Sequence, residues 1–379
     1  MKITHVSTRA YRLPLREKMI SSKFTMTHRE LVMAIIETDE GITGTGWFTT
    51  AGVGALAART LIDAYLAPFL LNEDPRNNER IWNKLWSDCH AAGPGGITTL
   101  ALSAIDIALW DIKGKKAGEP LHRLLGGVRD KVGIYASAIN LHLTKDGLLA
   151  QVEDHMSQGY SGFKLKVGKP DADEDLDRCR AVRKLIGGGR QLMLDANQKW
   201  TAGEAVQRCR GLAEITPVFV EEPILSDDVP GHAHIRANGG VPLALGETLC
   251  NRFDFWNYVH MDAVDIVQPD VWKVGGITEW MKIAVLAQCA SLVVSPHGAL
   301  ELSMHLAGAT PNCAMIENIF GLSLHDLGAS ATPVEINNGV IALPDTPGHG
   351  VVFDGPALAA HEMHGTGPIK RESVISANN

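Results

Sequence analysis

An α/β fold built around a barrel of parallel strands is what this chain predicts, on three observations. Eight short apolar runs between residues 132 and 317 alternate with helix-type stretches. That alternation implies βαβ crossovers, and so parallel pairing. Eight units in roughly 190 residues match a TIM-type barrel. Seven consecutive runs also end in polar or ionisable residues, about one unit apart. An open doubly wound sheet is the competing arrangement, but no G-x-G-x-x-G turn follows the first run.

The elements follow in order. Ile3, Val6, Leu13 and Leu15 alternate with polar residues, and residues 31–38 run into Asp39-Glu40-Gly41 before residues 42–47. A β-rich run ahead of an acidic-Gly turn predicts a hairpin. Ser21, Ser22, Lys23, Thr25, Thr27 and His28 show no periodicity and predict a polar loop. Residues 57–117 turn helical; residues 101–116 carry apolar positions at i, i+3 and i+4 and stop at Gly118, with Pro120 just beyond. Residues 1–127 are thus expected to form an α+β unit and residues 128–330 the barrel. Its runs are 132–136, 163–167, 192–195, 218–221, 243–247, 264–268, 292–295 and 314–317. Residues 331–379, with a Gly/Pro-rich stretch at 344–355, are expected to return to the N-terminal unit.

Composition narrows the function classes. The balance of 35 basic and 43 acidic residues leaves a net charge of −8, which argues against general nucleic-acid or anionic-membrane binding. The six cysteines form no C-x-x-C pair, so neither a zinc ribbon nor a disulfide framework is expected. No uncharged apolar stretch of about 18 residues is present, and the first residues lack an apolar targeting segment. A cytoplasmic protein is expected.

The polar strand ends carry the chemistry. They are Lys164 and Lys166, Asp195 and Asn197, Glu221 and Glu222, Glu247, Asp270, His297 and Glu317. From Lys166 the spacings are 29, 26, 26, 23, 27 and 20 residues, and a barrel gathers such ends into one mouth. Asp195, Glu221 and Glu247 come from three consecutive runs. Each alone reads as a surface acid or helix cap, and Asp195 precedes a helix. Together they form an all-oxygen set suited to a hard cation, Mg²⁺ first, with Mn²⁺ able to substitute. Asn197 is placed to support Asp195 or to touch substrate. Lys164 and Lys166 are i, i+2 on one strand, so both face the mouth while Phe163, Leu165 and Val167 face helices. Their mutual repulsion is expected to favour one neutral amine, as a lysine base requires. Asp270 bonded to His297 would set that ring's tautomer and raise its basicity. Glu317 is expected to meet a substrate oxygen.

These motifs resemble the enolase superfamily and, within it, the mandelate racemase subgroup. The resemblance spans essentially the whole chain: Lys164-Leu165-Lys166, Asp195-Ala196-Asn197, Glu221-Glu222-Pro223, Gly246-Glu247-Thr248, Pro269-Asp270 followed by Lys273-Val274-Gly275-Gly276, Ser295-Pro296-His297, and Glu317. Each motif alone is weak; seven in order at one-unit spacing are not. The resemblance implies a modified (β/α)₇β barrel with an N-terminal capping domain completed by the C-terminal segment, and a symmetric homo-oligomer. It implies Mg²⁺ on Asp195, Glu221 and Glu247, bases Lys166 and the His297–Asp270 dyad on opposite faces, and charge stabilisation by Lys164 and Glu317.

A hydrogen α to a carboxylate is barely acidic, because the enediolate left behind carries two negative charges. A Lys or His base with Mg²⁺ is the pattern that overcomes this in the superfamily. Delivery of a proton from His297 to a β-hydroxyl gives dehydration to a 2-keto-3-deoxy acid. Return of the proton from the other face gives racemisation or epimerisation of a 2-hydroxy or amino acid. The expected activity is a Mg²⁺-dependent acid-sugar dehydratase, with the racemase or epimerase as the alternative and a non-catalytic acid-sugar binder as a remote one. The polar stretch around Ser21, Lys23 and His28, together with Glu222, is expected to meet a polyhydroxylated acid, since each buried substrate hydroxyl needs a partner.

Overall fold

The N-terminal sheet is antiparallel because its strands follow one another through short turns. In the computed structural model, which describes residues 1–22, 24–313, 315–364 and 376–377, β1 (Ile3–Ile20) pairs with β2 (Phe24–Thr38), and β2 with β3 (Thr43–Thr50). The expected hairpin turn is present, with Gly41 at φ 74°, a region that favours glycine. The expected polar loop is much shorter than residues 21–28. Met19 and Ile20 of β1 pair with Met26 and Thr25, so Thr25, Thr27 and His28 belong to β2. Backbone pairing overrides their polar character.

Helices α1 (Ala55–Leu61), α2 (Ala67–Leu70), α3 (Asn78–Cys89), α4 (Ile97–Ala117) and α5 (Leu121–Leu124) follow. Helix α4 ends on Gly118 at φ 70°, as the sequence predicts. Its small residues let β3 approach closely. A methyl group added at Gly46 would lie 2.0 Å from the carbonyl oxygen of Ala104 and 2.5 Å from the nitrogen of Ala108. Gly46→Ala is expected to cost about 3 kcal/mol by overpacking. Gly188→Ala, at a position open on all sides, should stay within about 0.5 kcal/mol. Urea unfolding of both variants checks this, and equal stabilities would contradict it.

The barrel strands are β4 (Lys131–Ser137), β5 (Gly162–Lys166), β6 (Gln191–Asp195), β7 (Val220–Glu221), β8 (Leu243–Leu245), β9 (Ile266–Val267), β10 (Val293–Val294) and β11 (Ile316–Ile319). Each pairs in parallel with the next from β4 to β10, and β11 pairs back with β4. A bridge from Val294 to Cys313 closes the ring. Between successive strands lie α6 (Lys145–Ser157), α7 (Ala172–Ile186), α8 (Ala202–Leu212), α9 (Val229–Gly239), α10 (Arg252–His260), α11 (Ile277–Cys289) and α12 (Leu300–Ala309). This is the (β/α)₇β order. Thr144, Asp171, Thr201, Asp228 and Asn251 accept backbone N–H bonds at the starts of α6 to α10. Such caps contribute about 1 kcal/mol each and set where strand-to-helix loops end. Ala314, expected in the last strand, lies outside the described residues.

Period-two alternation sorts the strands. Phe163, Leu165, Leu192 and Leu194 pack outward against Val152, Cys179 and Val182 of the helices. Tyr135, Met193, Phe219 and Ala244 meet inside the barrel as an apolar plug. The polar strand ends stand beyond it at the C-terminal mouth. The N-terminal unit shares a continuous core with the α10–α11 side of the barrel through Leu102, Ile105, Phe255 and Trp280. Asp106 of α4 accepts bonds from Thr278 N (2.9 Å) and Oγ1 (2.5 Å), and Trp82 Nε1 donates to Gly275 O (2.7 Å).

Past the barrel, β12 (Val340–Ala342) runs antiparallel to β4. The chain then passes α13 (Gly355–Ala359) and reaches the N-terminal sheet, where Arg12 N donates to His361 O and Met363 N to Ala10 O. A last strand, β13 (Ser376–Ala377), pairs with β2. Among the described residues no helix is long and apolar enough to cross a membrane.

Candidate active site

The mouth of the barrel and the facing edge of the N-terminal sheet enclose a cavity of about 210 Å³. Strand ends bring Lys166, Asn197, Glu247, Asp270, His297 and Glu317 to its wall. The loops behind them are tightly held: Asn197, Glu222 and Ala299 adopt left-handed backbone at φ 46°, 39° and 46°. Residues of this kind persist only where the surroundings over-determine them.

Asp195, Glu221 and Glu247 converge, with one oxygen of each within 4.8 Å of the others. Asp195 and Glu221 are fully buried. Burial, then the charge of Asp195, pushes Glu221 up to about 8. Three carboxylates at this spacing, two of them buried and Glu247 half-buried, repel one another, and an oxygen-only set of this kind matches a hard divalent cation. The residues around them orient the set. Asn197 N donates to Asp195 Oδ1 at 2.8 Å, and Gln268 Nε2 donates to Glu221 Oε2 at 2.8 Å.

The two lysines sit against these carboxylates. Lys164 Nζ lies 2.8 Å from Glu221, 2.5 Å from Glu317 and 3.8 Å from Asp195, and Lys166 pairs with Asp195. Burial works against the Lys164 charge, but Glu221 and Glu317 outweigh it and raise the group well above the usual lysine range. Lys166 is raised as well: Asp195 overcomes burial and the repulsion from Lys164. The expectation of one neutral amine is not met by repulsion between the two lysines alone. It considered only the i, i+2 neighbour, whereas acids from three other strands decide the balance.

His297 Nδ1 meets Asp270 Oδ2 at 2.9 Å, and its Nε2 lies 3.1 Å from Glu247. Asp270 is itself fixed by the backbone N–H of Trp272 at 2.8 Å. Burial disfavours the imidazolium, but Glu247 and the bond to Asp270 raise His297 to about 10. Glu317 shows the converse: burial opposes its charge, while Lys164 and His297 pull it down to about 2. It also accepts a bond from Gly298 N at 3.3 Å.

The expected substrate contacts are arranged differently. Glu222 is buried and does not line the cavity; Thr248 Oγ1 donates to its Oε1 at 2.9 Å, and burial raises its carboxyl well above the usual range. Ser21 and His28 are buried and also absent from the wall. Lys23 lies outside the described residues. Ser22 Oγ donates to Ala196 O at 2.8 Å, pinning this turn to the loop after Asp195. The N-terminal sheet presents Phe24, Met26, Arg29, Thr49 and Thr50 instead. Sequence reasoning missed Arg29 and Gln268. Only Gln268, a polar residue closing the run 264–268, carried a strand-end signal.

Comparison with known proteins gives the family of this chain. The family described as Mandelate racemase / muconate lactonizing enzyme, N-terminal domain, matches residues 3–126, and the Enolase C-terminal domain-like family matches residues 147–357. The chain belongs to the mandelate racemase family of the enolase superfamily. Within it, the chain is 38% identical to a 3,6-anhydro-alpha-L-galactonate cycloisomerase from Streptomyces coelicolor, over 93% of this chain and 97% of that one. It is 37% identical to an L-talarate/galactarate dehydratase from Salmonella typhimurium, over 76% and 72%. Among solved structures, an L-talarate dehydratase from Polaromonas sp. JS666 in complex with Mg and L-glucarate superposes with a TM-score of 0.90. That match has 35% identity and covers 96% of this chain and 98% of that one. The superfamily fold, a parallel barrel with an antiparallel N-terminal sheet, is the fold of this chain. Members with these names include both lyases and isomerases.

Proposed function

We propose that the protein is a Mg²⁺-dependent dehydratase of a sugar acid. The observation that carries this reading is one cavity lined by Lys166, Glu247 and the His297–Asp270 dyad, with Asp195 and Glu221 converging on Glu247. Dehydratases of talarate/galactarate and of galactonate among the relatives support it.

Asp195, Glu221 and Glu247 would hold the cation. When bound, it would supply Lewis-acid stabilisation of the charge that develops on the substrate carboxylate, and it would offset the field that favours the Lys166 ammonium. Lys166, once neutral, takes the proton from C2. Lys164 donates to the carboxylate oxygen on which charge develops, and Glu317 holds Lys164 in place. The imidazolium of His297 then delivers its proton to the hydroxyl on C3. The C3–O bond breaks, water leaves, and the enol tautomerises to a 2-keto-3-deoxy acid. Asp270 stabilises the imidazolium and fixes its tautomer.

A second reading, 1,1-proton transfer by a racemase or epimerase, is favoured by one observation: two proton carriers, Lys166 and His297, face one cavity. The cycloisomerase relative shows that isomerase chemistry also occurs at this similarity. Proton NMR in D₂O with Mg²⁺ and a panel of sugar acids separates the readings. The dehydratase predicts a new keto-deoxy product from at least one acid. Exchange at C2 with no keto product would instead establish the isomerase. Neither signal across the panel would overturn both.

A further inference from the structure

Arg29 differs from Arg12 and Arg208 in its pairing. Arg12 pairs with Glu30 and Arg208 with Asp175. Arg29, on β2, has no carboxylate partner among the described residues, although it lines the cavity. Its Nη2 donates to Thr49 Oγ1 at 2.6 Å, and its Nη1 reaches only the thioether of Met26, a weak acceptor, at 3.8 Å. Its Nε is buried and has no partner among the described residues. The side chain is half-buried and lines the cavity, and burial lowers it to about 10 even though Asp270 and Glu247 favour its charge from a distance.

A buried cation without a counter-charge is costly, and a planar fork with free N–H groups matches a carboxylate in bidentate fashion. A substrate hydroxyl could accept one bond but would leave the charge uncompensated. The carboxylate next to the reacting carbon belongs with the cation set and Lys164 in the barrel, whereas Arg29 comes from the opposing sheet. We infer that Arg29 receives a second carboxylate at the far end of the substrate, so that the acid is an aldarate, a sugar diacid, rather than an aldonate. This rests on the acid-sugar reading of the site and names its substrate class.

The test pairs each six-carbon aldarate with the aldonate of matching configuration, such as galactarate with galactonate. Both kcat/KM and, by titration calorimetry in Mg²⁺, Kd are measured for the native protein, Arg29→Gln and Arg29→Lys. The native protein should prefer the diacid on the order of a hundredfold. Arg29→Gln should erase that preference, and Arg29→Lys should restore part of it. Equal affinity for both members of every pair, or a preference unchanged in a folded Arg29→Gln, overturns the inference while leaving the dehydratase intact. A diacid preference in Kd that Arg29→Gln removes, with no turnover of any acid, supports the inference and overturns the reaction instead.

Discussion

Glu221→Gln is expected to abolish turnover and metal binding together while leaving the fold intact. Glu221 is the central member of the three carboxylates, contributed by the strand between those that carry Asp195 and Glu247. The substitution keeps the side chain's shape, so the amide can still accept from Lys164 and from Gln268, which now donate to the carboxylate at 2.8 Å each. It removes one of three anionic donors. Lewis-acid stabilisation of the developing charge amounts to several kcal/mol, so turnover should fall on the order of a thousandfold. A ligand bound only by the folded state raises apparent stability by mass action, about 2.7 kcal/mol at a hundredfold excess over Kd. Native protein should therefore show a Mg²⁺-dependent rise in Tm, and Glu221→Gln should not, at an unchanged Tm without metal. A variant that keeps both its turnover and its Mg²⁺ shift would mean that the cation sits elsewhere.

His297→Asn should lower kcat by about 10²–10⁴-fold, the range for loss of a positioned acid-base group. The ring bridges Asp270 and Glu247, at 2.9 and 3.1 Å. Without it the leaving hydroxyl has no proton donor and the C3–O bond persists. The first step does not need His297, so exchange at C2 should survive through Lys166. Asp270→Asn should also be impaired, because an amide in place of the carboxylate no longer stabilises the imidazolium. Loss of C2 exchange in His297→Asn, together with turnover, would assign proton abstraction to the histidine.

Much of this site was readable from the chain because a barrel converts spacing into geometry. Lys166, Asp195, Glu221, Glu247, Asp270, His297 and Glu317 recur one unit apart, and parallel strands in chain order can only bring such ends together. Alternation along Phe163-Lys164-Leu165-Lys166 likewise told which side chains face inward. What depended on other parts of the chain was not readable. The composition of residues 21–28 suggests a loop, but pairing with Met19 and Ile20 extends β2 through most of them. Several barrel strands are only two residues long, since ladder bonds rather than apolar content set their ends. Arg29 faces the cavity only because the N-terminal sheet folds over the barrel. The upward pull on the Lys166 amine comes from Asp195, 29 residues away in the chain.

The central claim is that a substrate carbon lies between two proton carriers, Lys166 and His297, beside the three carboxylates. Stereochemically resolved hydrogen exchange tests it most directly: C2 epimers of the acid that turns over are incubated in D₂O with His297→Asn and with Lys166→Met. The account predicts complementary outcomes, with His297→Asn exchanging one epimer and Lys166→Met only the other. Exchange of the same epimer by both variants would put the two bases on one side of the substrate and contradict the account.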